Sequence, residues 1–169
     1  MAKYHNISGE LTQELLAPGA NENVSSISIS NVVTFKPVYV DLFVKNSSGS
    51  DKTYFFKNLK VPSGASFIYD LSINNRASGY GLYVKLKAAD KFTLTGTIDP
   101  AASTSVTGVG TLFTKELTIG DSIVVSGETR VIGAISSDTV AKVSVAFSDN
   151  GNDTSPDCIP TALVDITIY

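Results

Sequence analysis

Apolar and polar positions alternate along much of the first hundred residues. Ile27 and Ile29 alternate with Ser26, Ser28 and Ser30. Val38, Val40, Leu42 and Val44 alternate with Tyr39, Asp41 and Phe43, and Leu82, Val84 and Leu86 with Tyr83, Lys85 and Lys87. A period of two is the mark of a strand with one face buried. Phe67, Tyr69 and Leu71 repeat it, Tyr54 to Phe56 open a returning strand, and Phe92 with Leu94 mark one more. Turn clusters separate these runs: Asn46 to Asp51, Pro62-Ser63-Gly64, and Asn74 to Gly79. Between Glu10 and Ala17, the spacing of Leu11, Leu15 and Leu16 suits a strand or a short helix. The β context favours a strand that stops at Pro18-Gly19. Met1 to Gly9 is polar and predicts an arm ordered only by a neighbour.

The block from Gly96 to Pro160 has another texture, poor in aromatics and rich in Val, Thr, Ser and Gly. Ile123 and Val125 predict a strand, Ser126-Gly127-Glu128 a tight turn, and Val131 the return. Val143, Val145 and Phe147 alternate with Ser144 and Ala146. Leu112 to Leu117 suits one helical turn with Phe113 and Leu117 on one face. This pattern fits a small barrel of short strands. The final run, Val164-Asp165-Ile166-Thr167-Ile168-Tyr169, alternates again and supplies the strand the first part lacks. The expected fold is therefore all-β: an antiparallel β-sandwich, jelly-roll or immunoglobulin-like, with an inserted small β-barrel-like module. The sandwich takes residues 1–95 plus 161–169, and the insert takes 96–160. Insertion suits a hairpin tip whose ends lie close. A plain tandem, with the last strand in the second block, is the competing arrangement.

Composition narrows the function classes. Of 169 residues, 43% are hydrophobic, enough for a core, and only 17% are charged. The usual charged share is about a quarter. A net charge of −3 argues against nucleic acid, which needs clustered basic residues. Lys52, Lys57, Lys60, Lys85, Lys87 and Lys91 read as solvated positions that protect strand edges. The single cysteine, Cys158, leaves no internal disulfide. The N-terminal residues lack the apolar run of a signal peptide, and no stretch is apolar enough to span a membrane.

Several segments then look familiar. Ser105 to Phe113, Leu117, Gly120 to Ile123, Gly127 to Arg130 and Ile135 to Thr139 resemble a small β-module that recurs in virion proteins of tailed bacteriophages. Ile27 to Asn31, Val40 to Val44, Tyr54 to Asn58 and Val61 to Ala65 resemble a β-sandwich of structural proteins from marine and cyanobacterial phages, which ends in a strand like Val164 to Ile168. The resemblance implies a virion component, made in the host cytoplasm, that contacts other virion proteins. It brings no catalytic residues.

The residues themselves point away from chemistry. His5 is the only histidine, so a serine-hydrolase triad or a zinc site lacks its parts. Gly108-Val109-Gly110-Thr111 has no following Lys-Ser or Lys-Thr, so it reads as a turn and not a phosphate loop. Asp149-Asn150-Gly151-Asn152-Asp153 contains calcium-type oxygen ligands but no closing glutamate, and turn formation accounts for it. Asp121, Glu128 and Asp138 fall in or near turns, with nothing to pair two of them across a cleft. No enzyme, cofactor or metal is expected. The expected role is a capsid decoration or cement protein of a tailed phage, acting through many weak contacts. A tail, neck or baseplate component, or a receptor- or carbohydrate-binding tip, are the alternatives. The expected contact residues are Tyr4, His5 and Ile7 in the arm, and Tyr39 and Phe43 on a strand that is apolar on both faces. Association with other copies, including trimers, is expected.

Overall fold

The computed structural model describes residues 2–49, 52–74, 79–148 and 151–169. The chain divides into two compact units, Met1–Ala88 with Ala162–Tyr169, and Ala89–Thr161. In the first unit the strands are β1 (Lys3–Ser8), β2 (Thr12–Leu16), β3 (Asn23–Asn31), β4 (Val38–Asn46), β5 (Lys52–Val61), β6 (Ser66–Asn74) and β7 (Tyr80–Lys87). The chain's last strand, β15 (Leu163–Ile168), completes it.

These strands form two four-stranded antiparallel sheets, ordered β1-β15-β3-β6 and β2-β7-β4-β5. Counted along the unit, the orders are first-eighth-third-sixth and second-seventh-fourth-fifth. Two such interleaved Greek keys make a jelly roll. β15 lies between β1 and β3, with Ile166 opposite both His5 and Ile29. The core between the sheets takes alternate residues from both. Ile27, Ile29, Val164 and Ile166 face Val38, Val40, Leu42, Val84 and Leu86. Phe56 packs edge-on against Phe67 and Tyr69, with ring centroids 5.7 and 5.6 Å apart.

The second unit holds β8 (Phe92–Thr93), β9 (Thr97–Asp99), β10 (Ser105–Val109), α1 (Phe113–Glu116), β11 (Ser122–Val125), β12 (Glu128–Ser137), β13 (Val140–Val143) and β14 (Asp157–Ile159). They form one antiparallel sheet in the order β8-β14-β11-β12-β13-β10-β9. Ile98 and Asp153 exchange two backbone hydrogen bonds of 2.9 Å. That bridge ties the far strand to the segment ahead of β14 and curls the sheet toward closure. The single turn α1 places Phe113 in a core that also holds Leu117, Ile123, Ile132 and Phe147. At the β11–β12 turn both central residues, Ser126 (φ 50) and Gly127 (φ 81), are left-handed, as a two-residue hairpin requires.

Three expectations are corrected. The N-terminal arm is an edge strand, β1, paired along its length with β15. It carries one buried aliphatic residue, Ile7, too little for a visible alternation. The strand expected in the sandwich at 91–95 shrinks to β8 and pairs with β14 in the second unit, so the boundary falls near Ala88 and not at 95. The alternation from Val143 to Phe147 does not continue as a strand: β13 ends at Val143, and Val145 is exposed. Among the described residues, no helix is long and apolar enough to cross a membrane.

Candidate interaction surface

Strand β4 sends Val38, Val40, Leu42 and Val44 inward and Tyr39, Asp41, Phe43 and Lys45 outward. Phe43 is nonetheless only 3% exposed. Its cover comes from neighbours on its own face. Tyr83 of β7 stacks on it at 5.9 Å and 19°, and Tyr54 of β5 tilts against it at 5.2 Å. Lysines roof this aromatic row. Lys45 Nζ stands 4.1 Å from the Tyr83 ring centre, Lys52 5.6 Å from Phe43, Lys57 5.4 Å from Tyr54 and Lys87 5.9 Å from Tyr39. Ammonium groups are attracted to ring faces at such separations, and their stems shield the apolar surface. Tyr83 also donates its hydroxyl to Glu14 Oε2 at 2.6 Å. Burial, with that bond to Glu14, pushes the phenol pKa up to about 12.

The lysines are therefore not simply edge guards. β7 is an interior strand of its sheet, and Lys85 and Lys87 stand opposite Asp41 and Tyr39 of β4. On β5 the register shifts, so that Val40 pairs with Leu59 and Leu42 with Phe56. The residues between form a bulge. Asn58 sits at φ 56 and its backbone N–H donates to Asp41 Oδ1 at 2.6 Å. Bulges re-aim side chains. This one borders a groove of about 640 Å³ lined by Glu10, Asp41, Lys57, Asn58, Lys85, Leu86 and Lys87. Alternation along one strand could not reveal a groove built by a bulge on another.

The other expected contact residues separate. Tyr4 is 77% exposed, on the outer side of edge strand β1. Ile7 belongs to the core, so neither it nor Phe43 offers free surface in the single chain. His5 is half-buried, and its Nε2 is enclosed without a hydrogen-bond partner. Burial, helped by the charge of Lys3, holds its pKa below the ordinary 6.5.

A second exposed feature escaped the sequence pattern. Phe35 is 61% exposed at φ 65, a conformation unfavourable for a bulky residue. Its N–H donates to Ser63 Oγ at 2.8 Å, and that hydroxyl donates to Val33 O. Asn31 clamps the same loop from inside. Its amide donates to Lys36 O at 2.9 Å and Val61 O at 3.0 Å, and its Oδ1 accepts from Val33 N at 2.9 Å.

The acidic positions of the second unit are engaged in local bonds. Asp121 is fully buried. Oδ1 accepts from Thr161 N at 2.7 Å, and Oδ2 accepts from Thr118 N at 2.8 Å. Glu128 bonds Arg130, and Asp138 bonds Thr114. In the calcium-like loop, Asp149 and Asn150 lie outside the described residues. Both carboxylate oxygens of Asp153 accept backbone N–H groups, from Ser126 and Ser155. Lys91, with Thr93, holds Asp157 below the usual carboxylate range. Among the described residues, no group of three or more His, Cys, Asp or Glu is placed to hold a metal.

No protein-family model matches the chain, and no curated protein sequence matches it. Solved structures of infectious bursal disease virus have low similarity to it. The Gx strain has a TM-score of 0.23 at 8% identity, the Gt strain 0.24 at 9%, and the T13 viral particle 0.23 at 6%. Each covers 99% of this chain, which spans only about two fifths (39%, 40% and 39%) of theirs. Similarity at this level does not establish a common fold.

Proposed function

We propose that this chain is a structural component of a virion, and specifically a capsid decoration protein of a tailed phage that acts by binding and not by catalysis. The observation that carries the reading is the strand order of the first unit. Eight antiparallel strands in two interleaved Greek keys are an architecture used by capsid and lectin domains. The sequence resemblance to phage virion modules supports the same reading. Mechanistically, a rigid sandwich presents a broad sheet face and an exposed edge strand to neighbouring subunits. Each contact is modest, and repetition over a symmetric particle multiplies it. The Lys-roofed aromatic face is the main contact surface in this account.

The test is the copy number in purified virions by quantitative mass spectrometry. On the order of hundreds of copies per particle agree with decoration, whereas about six or twelve assign the chain to the tail, neck or baseplate. The lectin-like alternative is addressed by a glycan array. Tight, selective glycan binding by the isolated protein would replace the decoration reading.

A further inference from the structure

We propose that the groove on the outer face of the second sheet docks a carboxylate-rich segment of a partner protein. The inference rests on the structural-virion reading and names the chemistry of its contact.

Three observations favour this occupant. The first is charge. The first unit holds nine basic and seven acidic residues, while the second holds four and nine. Six of the first unit's nine basic residues, Lys45, Lys52, Lys57, Lys60, Lys85 and Lys87, belong to one sheet face of a chain whose net charge is −3. A concentrated positive field on an acidic protein steers and orients a negative partner.

The second observation is how the carboxylates of that face are used. Glu14 accepts the Tyr83 hydroxyl, Asp41 accepts Asn58 N, and Glu10 accepts Ala88 N at 2.8 Å. They hold the scaffold, while four of the lysines stand over aromatic rings. An arriving carboxylate offers these ammonium groups a charge-assisted hydrogen bond, which a ring face does not supply.

The third is the lining. The groove is lined by charged and amide side chains, with Leu86 the one aliphatic contributor among the described residues. Small-ligand sites are lined mostly by aliphatic and aromatic side chains, and this lining holds one aliphatic and no aromatic. A sugar ring would need an aromatic platform, and no ring lines the groove. An extended acidic segment needs neither.

The test is fluorescence anisotropy of a labelled oligoglutamate peptide with the full chain, at low and at raised salt. Binding is expected at low ionic strength, and to weaken severalfold as salt shortens the screening length. K57Q/K85Q/K87Q is expected to weaken binding about tenfold, and each single substitution about threefold. K115Q/K142Q, in the second unit, should leave it unchanged. A circular dichroism melt of each variant checks the fold, and the single substitutions decide if the triple variant fails to fold. Three results would overturn the proposal: no binding to the wild-type chain, equal binding by the Lys57, Lys85 and Lys87 variants, or tighter binding of an oligogalacturonate, which would assign the groove to an acidic glycan. The copy-number measurement is independent of all three, so failure here and failure of the virion reading are distinguishable.

Discussion

Asn31 bonds three backbone groups on two segments, from a position only 2% exposed. An alanine there would remove all three of these bonds from a buried position. A lost buried hydrogen bond costs roughly 1–3 kcal/mol, and partial relaxation recovers some of it. Asn31→Ala is therefore expected to destabilise the first unit by about 3 kcal/mol in urea denaturation, and to release the loop that presents Phe35. His5 sets a pH dependence. Its pKa is depressed in the folded chain, so the neutral imidazole is the form that fits. As pH falls through 6.5 the unfolded chain binds the proton first, and stability declines until the folded imidazole also titrates. The urea midpoint should thus drop as the pH is taken from above 6.5 to below it. His5→Gln should reduce that drop. An unchanged slope in the variant would mean that other groups set it.

At the scale of elements, adjacent positions of β15 make a direct test of its placement. Ile166 is 1% exposed in the core, while Asp165 points outward and bonds Asn6 at 2.6 Å. Ile166→Ala is expected to cost about 3 kcal/mol and Asp165→Ala less than about 1. Strands that carry several inward aliphatics were legible in the sequence for the same reason these two residues should differ. β3, β4, β7 and β15 each send every second aliphatic residue into the core, which imprints a period of two even where β4 and β7 also bury an aromatic on the outer face. β1 and β8 were not legible as they occur. β1 buries only Ile7, and β8 is two residues long, with a partner sixty-odd positions away that no local pattern can announce. The contact face was half-legible. Its apolar outer residues, Tyr39 and Phe43, stood out, but Phe43 is sealed beneath rings and lysine stems from two other strands. The clustering of lysines from β4, β5 and β7 depends on sheet order, which alternation does not encode. Asp121 read as a turn former. The turn is real, with Asp121 N donating to Thr118 O at 3.0 Å, but the buried carboxylate also binds Thr161 forty residues on.

For the whole molecule, the uneven distribution of charge makes a prediction about orientation on a particle. If the basic sheet face meets an acidic subunit surface, its ammonium groups are less accessible when the chain is bound than when it is isolated. Acetylation by an amine-reactive reagent reads this directly, because modification needs an accessible, deprotonated amine. On assembled particles Lys57, Lys85 and Lys87 should be modified several times more slowly than in the isolated chain. Lys115 and Lys142, which belong to the second unit, should react at the same rate in both. Raising the salt should release the chain from the particle and restore the reactivity of the three protected lysines together, since one electrostatic contact holds all of them. Protection of Lys115 and Lys142 in place of the groove lysines would mean that the second unit makes the attachment and the sheet face does not.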